Sequence, residues 1–405
     1  IQVLDDSTDD TVEIVAAKVA EWREKGIDVQ HVRREKRTGY KAGALAYGLE
    51  KAKGEYVAIF DADFLPPEDF LRRTLPYFQD EKVGLVQTRW GHINENYSIL
   101  TRLQAFGLNG HFIVEQCGRN QAGSFINFNG TAGIWRRQCI DDAGGWSDDT
   151  LTEDLDLSYR AQMRGWRFRY LPDVVTPAEL PIIMPAIKSQ QYRWNKGGAE
   201  TARKHLARVL AQPGLRPLTK LHALFHLASS SVFLGLFVAT VLSLPLLLMK
   251  QTLPAIALLF HVGAVFILGF LSIAYFYWLS ARMTSGAKSI WYYWKNFPLF
   301  LSMCMGASLH NSIAVVEGFL GRKTPFIRTP KFNVTEAKDK WSGNIYVRPK
   351  LNAITLLEGL FALYFAAGVA LAINYQEYAA ALFMLLPGLG FLLIFYYSLT
   401  ANRHA

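Results

Sequence analysis

Asp61 and Asp63 stand two residues apart where the apolar run Tyr56-Val57-Ala58-Ile59-Phe60 ends. Carboxylates in that position can share one hard divalent cation, Mg2+ or Mn2+, whose other ligands are phosphate oxygens. Asp5 and Asp6 follow a second apolar run, Ile1-Gln2-Val3-Leu4, and on a neighbouring parallel strand they would hold a nucleoside beside that metal. Lys41 opens a helix after Thr38-Gly39-Tyr40 and brings an ammonium and free helix amides to the nucleotide. Thr152-Glu153-Asp154 sets a carboxylate at a helix start, suited to taking a proton from an acceptor hydroxyl. In Gln190-Gln191-Tyr192-Arg193-Trp194, Arg193 offers a fork of donors for a diphosphate and Trp194 a flat apolar face for a sugar ring. Asn129 and Thr131, set among aromatics, suit a hydroxyl-rich ligand.

Each motif alone has a plainer alternative. Asp61-Ala62-Asp63 can be a solvated turn before Pro66-Pro67, and Lys41 a surface helix start. Thr152 to Asp154 can be an N-cap box, Asn129 to Thr131 a buried turn, and Arg193-Trp194 a membrane-interface anchor.

The elements that must carry these side chains alternate. A strand at Ile1–Leu4, a helix through Val12 to Trp22 stopping at Gly26, a strand at Ile27–Val32, a helix at Lys41–Lys53 and a strand at Tyr56–Phe60 predict a largely parallel sheet covered by helices. Ligands of such sheets bind at the carboxyl ends of the strands, where both acidic clusters fall. A strand at Val83–Trp90, a helix at Ile99–Gln116 and a mixed strand and turn from Ser124 to Trp135 follow. Ile1 reads as a strand joined in its middle, so the chain is expected to be a fragment lacking its start.

The chain has 405 residues, 51% hydrophobic and 19% charged, a composition between that of a soluble enzyme and a membrane bundle. Its net charge of +9 sits beside apolar runs rather than in a nucleic-acid-binding motif, so nucleic acid is not an expected partner. Cys117, Cys139 and Cys304 show no paired spacing, which argues against a disulfide framework or a zinc site. Residues 1–214 form the polar half and 215–405 the apolar half. Ala228–Met249, Pro254–Leu279, Leu351–Ile373 and Tyr378–Leu399 are each long enough to cross a bilayer. Phe297–Leu320 is apolar too but carries His310, Asn311 and Glu317, and it leads into a basic loop at 321–350. Four crossings are expected, with Phe297–Leu320 lying along the interface or re-entering, and the basic loop on the side of Asp61.

Asp5-Asp6, Asp61-x-Asp63, Thr152-Glu153-Asp154 and Gln190-x-x-Arg193-Trp194, in that order, resemble the signature of processive family 2 glycosyltransferases, which include cellulose, chitin and hyaluronan synthases. Val86-Gln87-Thr88-Arg89-Trp90 and Phe128 to Arg136 are most similar to plant cellulose-synthase-like A and C enzymes, makers of mannan or glucomannan and of the xyloglucan backbone. The resemblance implies a Rossmann-like α/β GT-A domain in the cytosol, then a multi-pass helical region, in an inverting, metal-dependent enzyme. By this likeness Asp154 is the base; Asp5, Asp6, Lys41, Asp61, Gln190 and Arg193 bind the nucleotide; and Asp61 and Asp63 hold the metal. Asn129, Gly130, Thr131, Glu153 and Trp194 line the acceptor site. Phe332-Asn333-Val334-Thr335-Glu336-Ala337-Lys338 resembles the Phe-x-Val-Thr-x-Lys gating loop of bacterial cellulose synthase with one residue inserted, which assigns Phe332, Val334, Thr335 and Lys338 to that loop. The expected reaction polymerises a β-1,4-linked hexose from a nucleotide sugar and moves the polysaccharide through a lipid-embedded half, in a bacterial inner membrane. UDP-glucose is the preferred donor and GDP-mannose the other. A nonprocessive glycolipid-forming transferase and a receptor or transporter with a degenerate binding module are the competing readings.

Overall fold

The computed structural model describes residues 1–253, 266–336, 339 and 352–400. Strand β1 (Gln2–Leu4) pairs in parallel with β2 (Gln30–Val32), the two being joined through helix α1 (Thr11–Glu24). Helix α2 (Tyr40–Lys51) leads into β3 (Tyr56–Ile59), and a short α3 (Phe70–Thr74) precedes β4 (Val83–His92). Then come α4 (Ile99–Asn109), a π-helical turn at Gly110–Glu115, α5 (Gln116–Gln121), β5 (Gly133–Arg136), α6 (Arg137–Asp142), α7 (Glu153–Met163) and β6 (Arg167–Ala178).

The largely parallel sheet expected from the alternation is not what forms. The second sheet has the order β3-β5-β4-β6, with β5 antiparallel to both neighbours and β4 parallel to β6. β5 follows a turn rather than a crossover helix, so it enters from the opposite direction and separates β3 from β4. Among the described residues β1 and β3 are not hydrogen-bonded neighbours, so the two acidic clusters end strands of different sheets. The helix expected over Ile99–Gln116 is regular only to Asn109. β4 lies inside the sheet, its first six residues all buried, and this explains the unbroken apolar start of Val83-Gly84-Leu85-Val86. Behind it Leu85, Phe112, Ile126, Phe128, Trp135 and Leu157 form the main core.

Helix α8 (Met184–Ala211) joins the halves. Its N-terminal turns touch the apolar helices through Met184 and Ile187, and its C-terminal turns pack Ala202 and Val209 against α7 and α9 (Pro217–Leu227). Beyond it lie α10 (Val232–Thr252), α11 (Phe266–Ser285), α12 (Ser289–Gly306), α13 (Ser308–Leu320), α14 (Ala353–Asn374) and α15 (Tyr378–Thr400). Three described stretches, Ser229–Thr252, Ala353–Asn374 and Tyr378–Thr400, are long and apolar enough to cross a membrane, and a fourth span exists if the pair Ile267–Gly306 and Ser308–Leu320, bent by 51°, counts as one. The crossing expected over Pro254–Leu279 lies partly outside the described residues.

The polar residues of the expected interfacial run explain its bend. His310 Nε2 lies 3.0 Å from the Lys188 carbonyl, and Glu317 accepts a hydrogen bond from Tyr192 and sits 3.8 Å from Lys196 Nζ. α13 therefore turns its polar face onto α8. A second buried pair, Lys188 Nζ to Glu358 Oε2 at 2.6 Å, ties α8 to α14.

Helices α12 and α15 cross backbone to backbone. A Cβ on Gly390 would lie 1.8 Å from the Ser302 carbonyl oxygen, whereas one on Gly269 would meet nothing within 4 Å. Small residues let apolar helices approach this closely. Gly390→Leu should lower the thermal unfolding temperature in detergent, by about 1–3 kcal/mol of overpacking, while Gly269→Leu should not; equal melting of both variants would count against the tight crossing.

Candidate active site

The turn that precedes β5 gathers the site. Gly130 has φ +81°, a conformation side chains resist, and a Cβ there would lie 3.1 Å from Asp154 Oδ2 and 3.6 Å from Lys41 Nζ. Lys41, in the first turn of α2, donates to Asp61 Oδ1 at 2.5 Å and to the Gly130 carbonyl at 3.0 Å. Asp61 is aimed by its own backbone N–H, which donates to the buried Thr131 hydroxyl at 2.8 Å. Asp154 enters from the first turn of α7. Thr152 makes no side-chain cap there; its hydroxyl lies 3.1 Å from that of Thr201, so the N-cap alternative is not built. Lys41, Asp61, Gly130 and Asp154 thus meet from four separate segments.

Burial governs the electrostatics. Desolvation pushes Asp154 up to about 7, with the Glu153 charge adding to the rise. Glu153 is raised as well, by burial, against the pull of Lys41. Lys41 is raised despite burial, because Asp61, Glu153 and Asp154 all favour its charged form. Burial lowers Arg193, while Glu153, Asp61 and Asp154 pull the other way and favour its charged form, so the guanidinium belongs to this field too.

Trp194 is half-buried and lies 6.5 Å, centroid to centroid, from Trp90, which also contacts Phe64 and Phe112. These rings form an aromatic wall near the acid cluster. The first acidic pair already has partners. Asp5, held low by hydrogen bonds from Ser7 and His31 that outweigh its burial, faces His31 Nε2 at 2.8 Å. Asp6 is gripped by Arg34 through two hydrogen bonds of 3.1 and 2.5 Å. Gln190 lies half-buried on α8, one turn before Arg193 and Trp194.

The segment after α13 lies over the site. Thr324 accepts from Lys196 at 2.7 Å, Phe326 lies between Tyr40 (centroids 5.5 Å apart) and Arg193 (4.5 Å), and Thr329 accepts from Arg193 at 2.8 Å. Lys331 Nζ is 2.6 Å from Asp63 Oδ2, and the Phe332 and Asn333 amides donate to Glu179. Of the residues assigned to a gating loop, Val334 is buried against Ile182, Ile183 and Ala186 with Phe332 alongside, Thr335 bonds Asp339, and Lys338 lies outside the described residues.

The donor set fits a hard cation only in part by itself. Among the described residues no three His, Cys, Asp or Glu side chains cluster as metal ligands, so Asp61 and Asp63 need further oxygens from a substrate. Both are now neutralised by ammonium groups, Lys41 and Lys331.

No site role follows from sequence for Trp90, which enters only within a family motif, or for Lys331, which enters only as part of the basic loop; Phe326, Glu179, His111 and Glu115 are not singled out, and the spacing of four between the last two inside an apolar helix is the available signal.

Residues 1–197 match the family model described as Glycosyltransferase like family 2. Glucomannan 4-beta-mannosyltransferase 2 of Arabidopsis thaliana is 37% identical over 343 residues, covering 82% of this chain and 61% of that protein. Probable glucomannan 4-beta-mannosyltransferase 9 of Oryza sativa subsp. japonica is 33% identical over 409 residues, covering 97% of this chain and 74% of that protein. The chain belongs to glycosyltransferase family 2. The resemblance drawn from the motifs is thereby borne out, as is the arrangement of an α/β domain followed by apolar helices. The chain spans 61% of the length of the first of these relatives. A solved mannosyltransferase of Pyrobaculum calidifontis, in complex with GDP-Man and Mn2+, superposes with a TM-score of 0.47 at 20% identity, covering 78% of this chain and 76% of that one.

Gly130 carries both a left-handed backbone and close approach, so Gly130→Ala should cost about 1–2 kcal/mol in unfolding experiments from the backbone alone. An unchanged melting temperature would show that the turn relaxes without strain.

Proposed function

We propose that this family 2 chain carries the transfer site of an inverting β-1,4-hexosyltransferase that extends a mannan or glucomannan from GDP-mannose. The observation that supports it is the meeting of Lys41, Asp61, Gly130 and Asp154 within the field of Arg193. The donor preference departs from the UDP-glucose expected on sequence, because the relatives are named as mannosyltransferases.

In this reading an acceptor hydroxyl sits at Asp154. As the hydroxyl oxygen forms its bond to the donor's anomeric carbon, its proton passes to Asp154, and the bond from that carbon to the diphosphate breaks with its electron pair leaving on the nucleoside diphosphate. Arg193 receives the leaving charge, with Gln190 as a neutral donor beside it. Lys41 holds Asp61 in place through its hydrogen bond to Oδ1. Mg2+ or Mn2+ would be held by Asp61 and Asp63 and would supply charge neutralisation of the diphosphate. Asp5 and Asp6, through the His31 and Arg34 pairs, shape the nucleoside end. Trp194 with Trp90 gives the acceptor chain a flat face that tolerates sliding, consistent with processive extension and passage of the polymer among helices whose outer faces contact lipid. Residues 1–214 are the cytosolic catalytic part, 215–405 the membrane part, and the segment with Phe332, Val334 and Thr335 covers the donor.

Protein reconstituted in lipid and given GDP-mannose or UDP-glucose with Mg2+ or Mn2+ should make a β-1,4-linked mannose-containing polymer by linkage analysis; a single-sugar glycolipid, or glucose polymer alone, overturns this.

Asp154 must be ionised to act as a base, and its raised pKa places that change near pH 7. The pH profile of kcat/KM should therefore fall as pH drops through about 7, and Asp154→Asn should remove that limb while lowering turnover roughly a hundredfold or more. A profile flat from pH 6 to 8 in the unmodified enzyme would exclude this base.

Because the Lys331 ammonium occupies Asp63, a divalent cation has to displace it. Lys331→Gln should lower the Mn2+ concentration needed for half-maximal activity several-fold; a rise would mean that Lys331 assists the charged donor instead.

A further inference from the structure

Asn129 immediately precedes Gly130, and its side chain is held from two directions. Asn129 Oδ1 accepts a hydrogen bond from Asn127 Nδ2 at 2.8 Å and lies 3.2 Å from His111 Nε2. Arg119, which can only donate, fixes the Asn127 amide by donating from Nη2 to Asn127 Oδ1 at 3.2 Å. Asn127 must therefore present its NH2 to Asn129, and Asn129 must present its carbonyl oxygen in return. On the other side His111 Nδ1 lies 2.8 Å from Glu115 Oε2, and Glu115 Oε1 is 3.2 Å from Arg119. Burial would raise Glu115, but Arg119 and His111 hold it well below the usual carboxylate range, so it accepts from His111 Nδ1, and the hydrogen bond from His111 Nε2 to Asn129 Oδ1 is the one made by the ring with a proton on both nitrogens.

The main chain is pinned as well. Asn129 N–H donates to Gln87 Oε1 at 3.0 Å, and Gln87 Nε2 is fixed by the carbonyls of Thr88, Thr131 and Ala132. With backbone and carbonyl both committed, one group is left over. Asn129 Nδ2 is buried and has no hydrogen-bond partner among the described residues. An unmet buried donor is destabilising, and a fold that fixes the amide this firmly while leaving its donors unmet fits a ligand oxygen as the missing acceptor. The π-helical turn that carries His111 and Glu115 is an irregularity often found at functional sites.

We propose that Asn129 Nδ2 donates to a hydroxyl oxygen of the acceptor sugar, and that His111, braced by Glu115, is a positioning residue that sets the Asn129 amide. This rests on the transferase reading above and deepens it: the acceptor is gripped by a neutral donor on one side of Gly130 while Asp154 takes its proton on the other.

The test is a double-mutant cycle in reconstituted protein, with GDP-mannose as donor and β-1,4-mannohexaose as acceptor. Asn129→Ala should lower kcat/KM for the acceptor roughly tenfold, as expected for loss of one buried hydrogen bond, with the KM for GDP-mannose within about twofold of the parent. His111→Ala should match it, His111→Gln should recover part of the loss, and His111→Ala added to Asn129→Ala should cost nothing more. Losses that multiply, a donor KM that rises in step, or no effect of Asn129→Ala would overturn the proposal. If His111→Ala fails to fold, His111→Gln against Asn129→Ala carries the same comparison. If the parent protein transfers no mannose, the donor reading fails separately, and the positioning claim is read by calorimetric binding of mannohexaose and cellohexaose: parent binding that Asn129→Ala and His111→Ala weaken alike supports it, and no binding of either sugar by the parent overturns it.

Discussion

The Lys41 ammonium joins the end of β3 to the turn before β5, donating to Asp61 and to the Gly130 carbonyl, and the packing around it follows from that need. Carboxylates gathered in one site repel one another unless a cation is brought close, and the cation must itself be held in place. Here it is held by the first turn of α2, where the Gly39 and Tyr40 backbones both adopt positive φ to start the helix at the site. Asp154 and its neighbour Glu153 are the groups whose proton affinity burial raises. The site therefore sets one carboxylate paired with a lysine beside two acids whose proton affinity burial raises, the kind of contrast that acid–base chemistry at neutral pH uses.

Helix α8 extends this arrangement to the apolar half. Its middle turns supply Arg193 and Trp194 to the site, while Lys188, Tyr192 and Lys196 engage Glu358 and Glu317 of α14 and α13. Buried charges of this kind add little net stability compared with apolar packing, but they penalise any other register between the helices. The rotational setting of α8 is thus fixed by helices of the apolar half, and a shift among them would move Arg193 and Trp194. The segment from Thr324 to Val334 completes the link, since it leaves α13 and ends against Asp63 and Glu179.

Features that depend on neighbours in sequence were legible. Asp61-Ala62-Asp63 after an apolar run, the helix opened near Lys41, the carboxylates at the start of α7 and the long apolar stretches at Ser229–Thr252, Ala353–Asn374 and Tyr378–Thr400 all follow from local periodicity and composition. The order of the four motifs was enough to reach the family. The bend of Phe297–Leu320 was foreshadowed by His310, Asn311 and Glu317, because an apolar helix with such residues must find them partners.

Other features were decided only when distant segments met. Strand order and direction depend on which edges pair, and nothing in Gly133–Arg136 says that it inserts antiparallel between β3 and β4. The Lys41 to Gly130 bond spans 89 residues, and Lys331 reaches Asp63 from the segment that follows α13. The same holds for Asn129, whose amide orientation is set by Arg119 through Asn127 and by Glu115 through His111. Residue type fixes what a side chain can donate or accept, and the sequence states that completely; which donor faces which acceptor, and which is left unmet for a ligand, is a property of the folded packing alone.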